Sequence, residues 1–266
     1  MQLTLDRITL GVPHLAEAAD FYTSAFPATN TGRNPAGPLD LAGAGRLDLL
    51  KVEELAAEVD TDPASSGFRG LVLSALVDQP SEVEALLGAA TSRGATVVRP
   101  PRKRLFGEFA AAYRAPDGAV WKLAAVSRRN TAPPGDPTNL AETAVYLGVD
   151  SPKASATFYA ALGMRVDRDY GDKFVDFTVT PGSCRLGLLP REALAGDVGV
   201  DGRGDGFSAA VLTHTASSRV ELDALLGAAR TAGARVVTPV GRGDGGDHVA
   251  HVADPDGHHW RFTAPA

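Results

Sequence analysis

A short stretch close to the end of the chain alternates imidazole and guanidinium side chains along a predicted strand. The strand follows the turn sequence Pro255-Asp256-Gly257 and carries His259 and Arg261 on one face, with Trp260 on the other. Proline presets φ and glycine supplies a positive φ, so this tripeptide predicts a tight turn. A guanidinium group can stabilise a carboxylate, phosphate or enolate oxygen, and an imidazole can move a proton. The stretch therefore predicts a site that binds or transforms a small molecule.

The same arrangement occurs 139 residues earlier, as part of a duplication that covers nearly the whole chain. There the turn Pro116-Asp117-Gly118 precedes Trp121 and Lys122. The other repeated segments are Leu10-Gly11-Val12 with Leu147-Gly148-Val149, Phe21-Tyr22 with Phe158-Tyr159, residues 46–50 with 185–189, and residues 85–90 with 224–229. Repeats in the same order, with one small insertion, indicate two homologous halves.

Each half has the pattern strand, helix, strands, strand, helix, strands, which is two βαβββ units. The predicted fold class is α+β, with each half folding its two units into one curved mixed sheet around a cavity. The predicted domains span residues 1–126 and 140–266, joined by a Pro- and Gly-containing linker over 127–139. Residues 53–66 are predicted to be a polar connection and 197–206 a loop rich in Gly and Asp.

Composition narrows the classes of function. The chain has 266 residues and a formal net charge of −6, so it offers no electrostatic footprint for nucleic acid. It has one cysteine, Cys184, and therefore no intrachain disulfide. No apolar run reaches the roughly 20 residues of a membrane helix, and no signal peptide opens the sequence. These features predict a cytoplasmic protein. Four units in one chain can pair internally, so the chain is expected to be either a monomer or a homodimer.

The paired βαβββ units resemble the vicinal oxygen chelate superfamily, which includes glyoxalase I, the bleomycin-resistance proteins and the extradiol dioxygenases. The motifs that carry the resemblance are the strand from Leu5 to Val12, the Phe-Tyr pair on the following helix, and the segment from Asp254 to Phe262. The resemblance covers essentially the whole chain, once in each half. It implies that two βαβββ units surround a cavity in which function resides.

The resemblance also implies where a divalent metal ion would be held, because members of the superfamily place His, Gln or Glu ligands on the first and last strands of a unit. In this sequence those positions hold Arg7 and Ala144 on first strands, Asp48 and Gly187 on strands that end a unit, and Lys122 and Arg261 directly after the tryptophans. A single carboxylate beside cationic side chains is a poor site for a divalent cation. The usual metal site is therefore predicted to be absent, and no cofactor is expected.

Three hypotheses of function follow. The first is a metal-independent protein that binds a small molecule and sequesters a natural product or metabolite. The second is a metal-independent lyase, isomerase or cyclase, in which Arg261 or Lys122 stabilises an oxyanion and His259 or Tyr170 moves a proton. The third is a metal-dependent enzyme with ligands relocated to His214, His251 or His259. Arg7 and Lys122 are expected to point into one cavity with Asp48 between them. The other predicted ligand-binding residues are Trp121, Tyr146, Phe174 and Trp260.

Overall fold

The computed structural model describes residues 2–26, 29–30, 38–41, 45–103, 108–134, 138–243 and 245–266. Within these residues the chain folds into four successive βαβββ units, which confirms the predicted α+β class. Part of the predicted linker, residues 135–137, lies outside the described residues. No helix in the described ranges is long and apolar enough to cross a membrane.

The first half contains units one and two. Unit one comprises β1 (Arg7–Val12), α1 (Leu15–Ala25), β2 (Thr29–Asn30), β3 (Leu39–Asp40) and β4 (Arg46–Lys51). It is followed by α2 (Val52–Glu58) and β5 (Ser65–Gly67). Unit two comprises β6 (Leu71–Val77), α3 (Pro80–Ser92), β7 (Thr96–Lys103), β8 (Phe109–Arg114) and β9 (Val120–Ala125).

The second half repeats this order. Unit three comprises β10 (Glu142–Val149), α4 (Pro152–Ala161), β11 (Val166–Asp169), a 3₁₀ turn (Gly171–Lys173), β12 (Val175–Phe177) and β13 (Arg185–Pro190). It is followed by α5 (Arg191–Val198) and β14 (Gly204–Gly206). Unit four comprises β15 (Ala210–Thr215), α6 (Arg219–Thr231), β16 (Arg235–Arg242), β17 (His248–Ala253) and β18 (His259–Ala264).

Each of the two eight-stranded sheets combines one unit from each half of the chain. The outer-unit sheet joins units one and four in the order β16-β17-β18-β15-β1-β4-β3-β2. The inner-unit sheet joins units three and two in the order β11-β12-β13-β10-β6-β9-β8-β7. The seams are the antiparallel pairs β1 with β15 and β10 with β6. The expectation that the two units of one half share a sheet is thereby corrected, while the domain boundaries drawn from the repeat stay a prediction.

The two units of a half are instead held together by contacts from the repeated Phe-Tyr helix to the Pro-Asp-Gly turn, or to the aspartate directly before it, and to the tryptophan that follows the turn. Tyr159 donates its hydroxyl hydrogen to Asp254 over 2.5 Å and accepts a hydrogen bond from the indole of Trp260 over 3.2 Å. In the first half Tyr22 donates to Asp117 over 2.7 Å. All these side chains are buried, so each motif satisfies polar groups inside the core. The motifs are therefore parts of the scaffold.

The Pro-Asp-Gly turns form as predicted. Gly118 and Gly257 have φ values of +88° and +90°, which a residue with a Cβ rarely adopts. Each glycine N–H donates to a carbonyl three residues earlier, on Ala115 and Asp254 respectively. The turns set the register of β9 and β18 against their neighbours in the sheets.

Two predicted connections contain helices. Residues 53–66 were expected to be a polar connection, but α2 occupies most of the first half of this segment. Its Leu55 and Ala56 are fully buried, and a side-chain cluster that includes Phe207 and Val211 covers them. Burial of an apolar face stabilises this short helix, whose mostly polar composition does not predict a helix from the sequence. The predicted 197–206 loop likewise begins inside α5 and ends in β14.

These two helices lie against the faces of the sheets that point away from the other helices. Along β15, Val211 packs with α2 whereas Leu212 packs into the main core, so the two sides of the strand serve different clusters. We call the side of the outer-unit sheet that α2 partly covers the α2 face. The corresponding side of the inner-unit sheet, which α5 packs against through Leu194 and Val198, is the α5 face.

Candidate functional site

The α2 face of the outer-unit sheet gathers polar side chains from four strands. Arg7 on β1 lies opposite Thr213 on β15, and Thr213 lies beside Arg261 on β18. Thr9 lies beside Asp48 on β4. Because side chains alternate across a strand, these five residues share one face while their neighbours in sequence enter the core. The face thus combines two cations, one carboxylate and two hydroxyl groups.

Both guanidinium groups on this face are ion-paired. Arg7 donates to Asp48 Oδ2 over 2.9 Å. Arg261 donates to Glu58, the last residue of α2. Burial raises the pKa of Asp48 against the opposing effect of Arg7, and burial lowers the pKa of Arg261. The Asp48 carboxylate and the Arg261 guanidinium are therefore both desolvated, and the opposite charges near them offset the cost of that desolvation only in part.

His251 on β17 fixes the orientation of Arg261. The Arg261 Nε lies 3.3 Å from His251 Nε2, and a guanidinium nitrogen can only donate. His251 Nε2 is consequently the acceptor, and Nδ1 carries the hydrogen that it donates to the Thr238 hydroxyl over 2.7 Å. Burial lowers the pKa of His251 to about 4, in agreement with a neutral ring. Arg261 is thereby clamped between Glu58 and His251.

A cavity of about 610 Å³ opens above these residues. This volume falls in the range of about 300–1,000 Å³ that is typical of small-molecule sites. Polar and glycine residues dominate its lining, which is Arg7, Glu58, Thr213, Thr215, Thr238, Pro239, Gly241, Arg242, Gly243, Gly245, Asp247, Val249, His251, Arg261 and Thr263. The site can accommodate a molecule of metabolite size that forms many hydrogen bonds.

The α2 face also holds buried polar atoms that have no hydrogen-bond partner within the described part of the chain. They are Thr9 Oγ1, Asp48 Oδ1, Thr213 Oγ1 and His259 Nδ1. A buried polar atom without a partner costs about 1–3 kcal/mol, so a cluster of them indicates a site that a ligand or water completes. His259 packs edge to face on the ring of Phe207, and burial lowers its pKa to about 4.

The α5 face of the inner-unit sheet carries the equivalent positions but is filled by the protein itself. Lys122 forms ion pairs with Glu108 and, over 2.9 Å, with Asp197 at the end of α5. Burial acts to lower the pKa of Lys122, but the two carboxylates together raise it. The ring of Tyr146 lies over Gly187, where an added Cβ would be only 2.6 Å from a ring carbon. A ligand would have to displace these contacts.

The residues at the implied metal-ligand positions do not fit a divalent cation on either sheet. The outer-unit sheet places Arg7 and Arg261 on either side of Thr213, and the two nearby carboxylates, Asp48 and Glu58, are each ion-paired with one of these arginines. Two fixed cations would repel a divalent ion at the same place, and Thr supplies only a weak ligand. In the ranges that the structure describes, His, Cys, Asp and Glu side chains form no group of three that could hold a metal ion. The relocated site proposed for His214, His251 and His259 is therefore not assembled among the described residues.

Several predicted site residues are brought together. Arg7 and Asp48 do meet, and His259 and Arg261 do lie on one face of β18. Lys122 lies on the other sheet, so the expectation that Arg7 and Lys122 share one cavity is wrong. The reason is that unit two, which carries Lys122, pairs with unit three.

The predicted aromatic residues lie elsewhere. Trp121 and Trp260 have exposed fractions of 0% and 1% on the helix side of their sheets, so they cannot contact a ligand on the α2 or α5 face. Tyr170 is 64% exposed beside the inner-unit sheet, which separates it from Arg261. Tyr146 and Phe174 pack together on that sheet, with ring centroids 6.3 Å apart. These aromatic residues therefore lie away from the cavity on the α2 face, and their part in ligand binding stays a prediction.

The carboxylates that pair with the site cations were missed. Glu58 and Asp197 lie at the ends of α2 and α5, in segments predicted to be connections. They are separated by 139 residues, which is the spacing between Lys122 and Arg261. Aligning the two halves across these segments could have shown that each cation has an acidic residue at an equivalent place.

Comparisons with known proteins agree with this architecture. Residues 4–123 and 140–262 each match the family model of the Glyoxalase/Bleomycin resistance protein/Dioxygenase superfamily. Glyoxalase I from Zea mays superposes with a TM-score of 0.64 and 19% sequence identity, over 99% of this chain and 92% of that one. A protein from Bacillus subtilis that is provisionally named a dioxygenase superposes with a TM-score of 0.64 and 14% identity, over 100% of this chain and 86% of that one. These identities support a common fold alone. No match to a curated protein was found.

Proposed function

Since the chain belongs to the Glyoxalase/Bleomycin resistance protein/Dioxygenase superfamily, we propose that it binds a small molecule on the α2 face of the outer-unit sheet without a metal ion. The observation that carries this proposal is the 610 Å³ cavity, which is lined by Arg7, Arg261 and Thr213, whose hydroxyl has no partner in the described part of the chain. The guanidinium groups take the place that metal ligands would occupy, and they supply fixed donors for a ligand oxygen. His251 and Glu58 hold one of these donors in position before the ligand arrives.

The contrast between the two sheets supports one site per chain. On the α5 face, Lys122 is enclosed by two carboxylates and Tyr146 covers Gly187. On the α2 face the equivalent positions border open space. We therefore expect one ligand molecule for each chain.

The alternative is a metal-independent enzyme in which Arg261 stabilises an oxyanion and His259 acts as the base. Proton transfer is most effective when the pKa of the base is close to the working pH. Burial lowers the pKa of His259 to about 4, which leaves it unprotonated at neutral pH but makes it a weak base. This observation favours binding over catalysis.

The proposal is tested by a thermal-shift screen of polar, acidic and aromatic metabolites against three proteins: the wild type, Arg261→Met and Lys122→Met. Lys122→Met is the matched control because it removes the equivalent cation on the α5 face. A ligand at 100 times its dissociation constant stabilises the folded state by about 2.7 kcal/mol. We expect such a shift in the wild type and in Lys122→Met, and its loss in Arg261→Met.

Equal shifts in Arg261→Met and the wild type would show that binding occurs away from the α2 face, against the proposal. Each ligand found in the screen is then incubated with the protein and followed by NMR. An unchanged ligand agrees with a binding protein, whereas conversion at a rate that Arg261→Met abolishes establishes the enzyme alternative.

A further inference from the structure

The wall of the α2-face cavity has the chemistry of a site for hydroxyl groups. Four of its lining residues are threonines, at positions 213, 215, 238 and 263, and three are glycines. Among the described residues that line it, none is Trp, Tyr or Phe, and Pro239 and Val249 are the only ones with a wholly apolar side chain. Planar aromatic ligands gain much of their affinity from stacking and apolar contact. The described residues of this wall offer no Trp, Tyr or Phe ring for such stacking.

The wall offers donors and acceptors side by side. Arg7 and Arg261 can only donate hydrogen bonds, whereas the carboxylates of Glu58 and Asp247 can only accept them. The Thr213 hydroxyl can do both and has no partner among the described residues, and Thr213 as a whole is 3% exposed. A ligand hydroxyl accepts from a guanidinium and donates to a carboxylate at the same time. A carboxylate ligand cannot donate, and an alkyl group can do neither.

The charges that the described residues bring to the cavity are balanced. Arg7 is paired with Asp48, and Arg261 with Glu58. The remaining pair of opposite charges on the wall, Arg242 and Asp247, also cancels. Because the local field favours neither sign, the net charge of the ligand contributes less to recognition than its pattern of hydrogen-bonding groups.

We propose that the α2-face cavity binds a hydroxyl-rich, non-aromatic molecule, a polyol or a sugar acid, in which adjacent hydroxyl groups bridge the arginines and the carboxylates. This proposal rests on the proposed function and specifies its ligand class. Recognition depends on direct hydrogen bonds from the ligand to Thr213 and Arg261 in place of hydrogen bonds to water. An apolar ligand of equal size cannot form these bonds.

The test uses five probes in isothermal titration calorimetry and saturation-transfer NMR: D-gluconate, D-glucose, myo-inositol, hexanoate and benzoate. Gluconate and hexanoate form a matched pair, since both have six carbons and one carboxylate but only gluconate carries hydroxyl groups. We expect at least one hydroxylated probe to bind more tightly than hexanoate and benzoate. Thr213→Val, which removes a hydroxyl without changing the side-chain shape, should weaken that binding about threefold to tenfold. Ser74→Ala, at the equivalent position of the inner-unit sheet, should leave it unchanged.

The outcomes separate this proposal from the proposed function. Tighter binding of hexanoate or benzoate, lost in Arg261→Met, would confirm the cavity as a binding site and overturn its preference for hydroxyl groups. Equal binding of gluconate and hexanoate would show recognition of the carboxylate alone and would also overturn it. If no hydroxylated probe binds, the ligand class is wrong. Gluconate binding without glucose or inositol binding supports a sugar acid, and the converse supports a neutral polyol.

Discussion

Acidification should destabilise the protein through two histidines of the α2 face. Burial lowers the pKa of His251 and His259 from 6.5 to about 4. A group whose pKa is lower in the folded state contributes stability above its unfolded pKa and loses it as the pH falls toward the folded value. The window of loss therefore lies between pH 6.5 and 4. A difference of 2.5 pKa units corresponds to at most about 3 kcal/mol for each histidine, of which about 2 kcal/mol is lost between pH 7 and pH 5.

The assay is urea unfolding at pH 7 and pH 5, followed by the fluorescence of the two buried tryptophans. Carboxylic acids with raised pKa values, such as Asp48, change stability in the opposite direction, so the histidine contribution is read from variants. His251→Gln should lose about 2 kcal/mol less than the wild type on acidification, and the double variant with His259→Gln about 4 kcal/mol less. His248→Gln is the control, because His248 lies on the same strand but contacts Arg219 at the surface. If His251→Gln and the wild type lose the same free energy of unfolding, burial does not keep His251 neutral and the description of the Arg261 clamp fails.

Two further predictions concern the scaffold and the metal-ligand positions. Tyr159→Phe should reduce the free energy of unfolding by about 1–3 kcal/mol in urea titrations, since Asp254 and Trp260 each lose a buried partner. The control Tyr170→Phe, at an exposed position, should change the free energy of unfolding by less than about 0.5 kcal/mol. Equal effects of the two substitutions would contradict the assignment of the Tyr-Asp-Trp contacts to the core. Untagged protein purified without chelator and then exposed to Fe, Mn, Ni and Zn salts should retain well under one metal ion per chain by mass spectrometry, because the site positions carry arginines. Retention of one metal ion per chain would contradict the inference that the residues at these positions do not fit a divalent cation. It would favour the hypothesis of a metal-dependent enzyme.

The duplication, the βαβββ units and the scaffold motifs could be predicted from the sequence. Each depends on short-range information: alternation along a strand, a turn that needs glycine, or a segment repeated at a constant spacing. The presence of Arg7 and Arg261 at the implied metal-ligand positions could be read from the sequence once the resemblance had identified the positions, whereas the absence of a metal site stays a prediction. Helix α2 could not, because its polar segment forms a helix only when Leu55 is buried against another part of the chain.

The tertiary structure decided which residues share a site. Strand edges pair through backbone groups that every residue carries, so the sequence does not say that β1 joins β15 and β6 joins β10. This strand pairing places Lys122 on a different sheet from Arg7 and brings Arg261 to the same face as Arg7. It also pairs Arg261 with Glu58, 203 residues away, through contacts that no local pattern encodes. The sequence by itself determined the parts and the chemistry of their side chains. Long-range strand pairing decided that one face is filled by Tyr146 while the other borders a cavity of about 610 Å³.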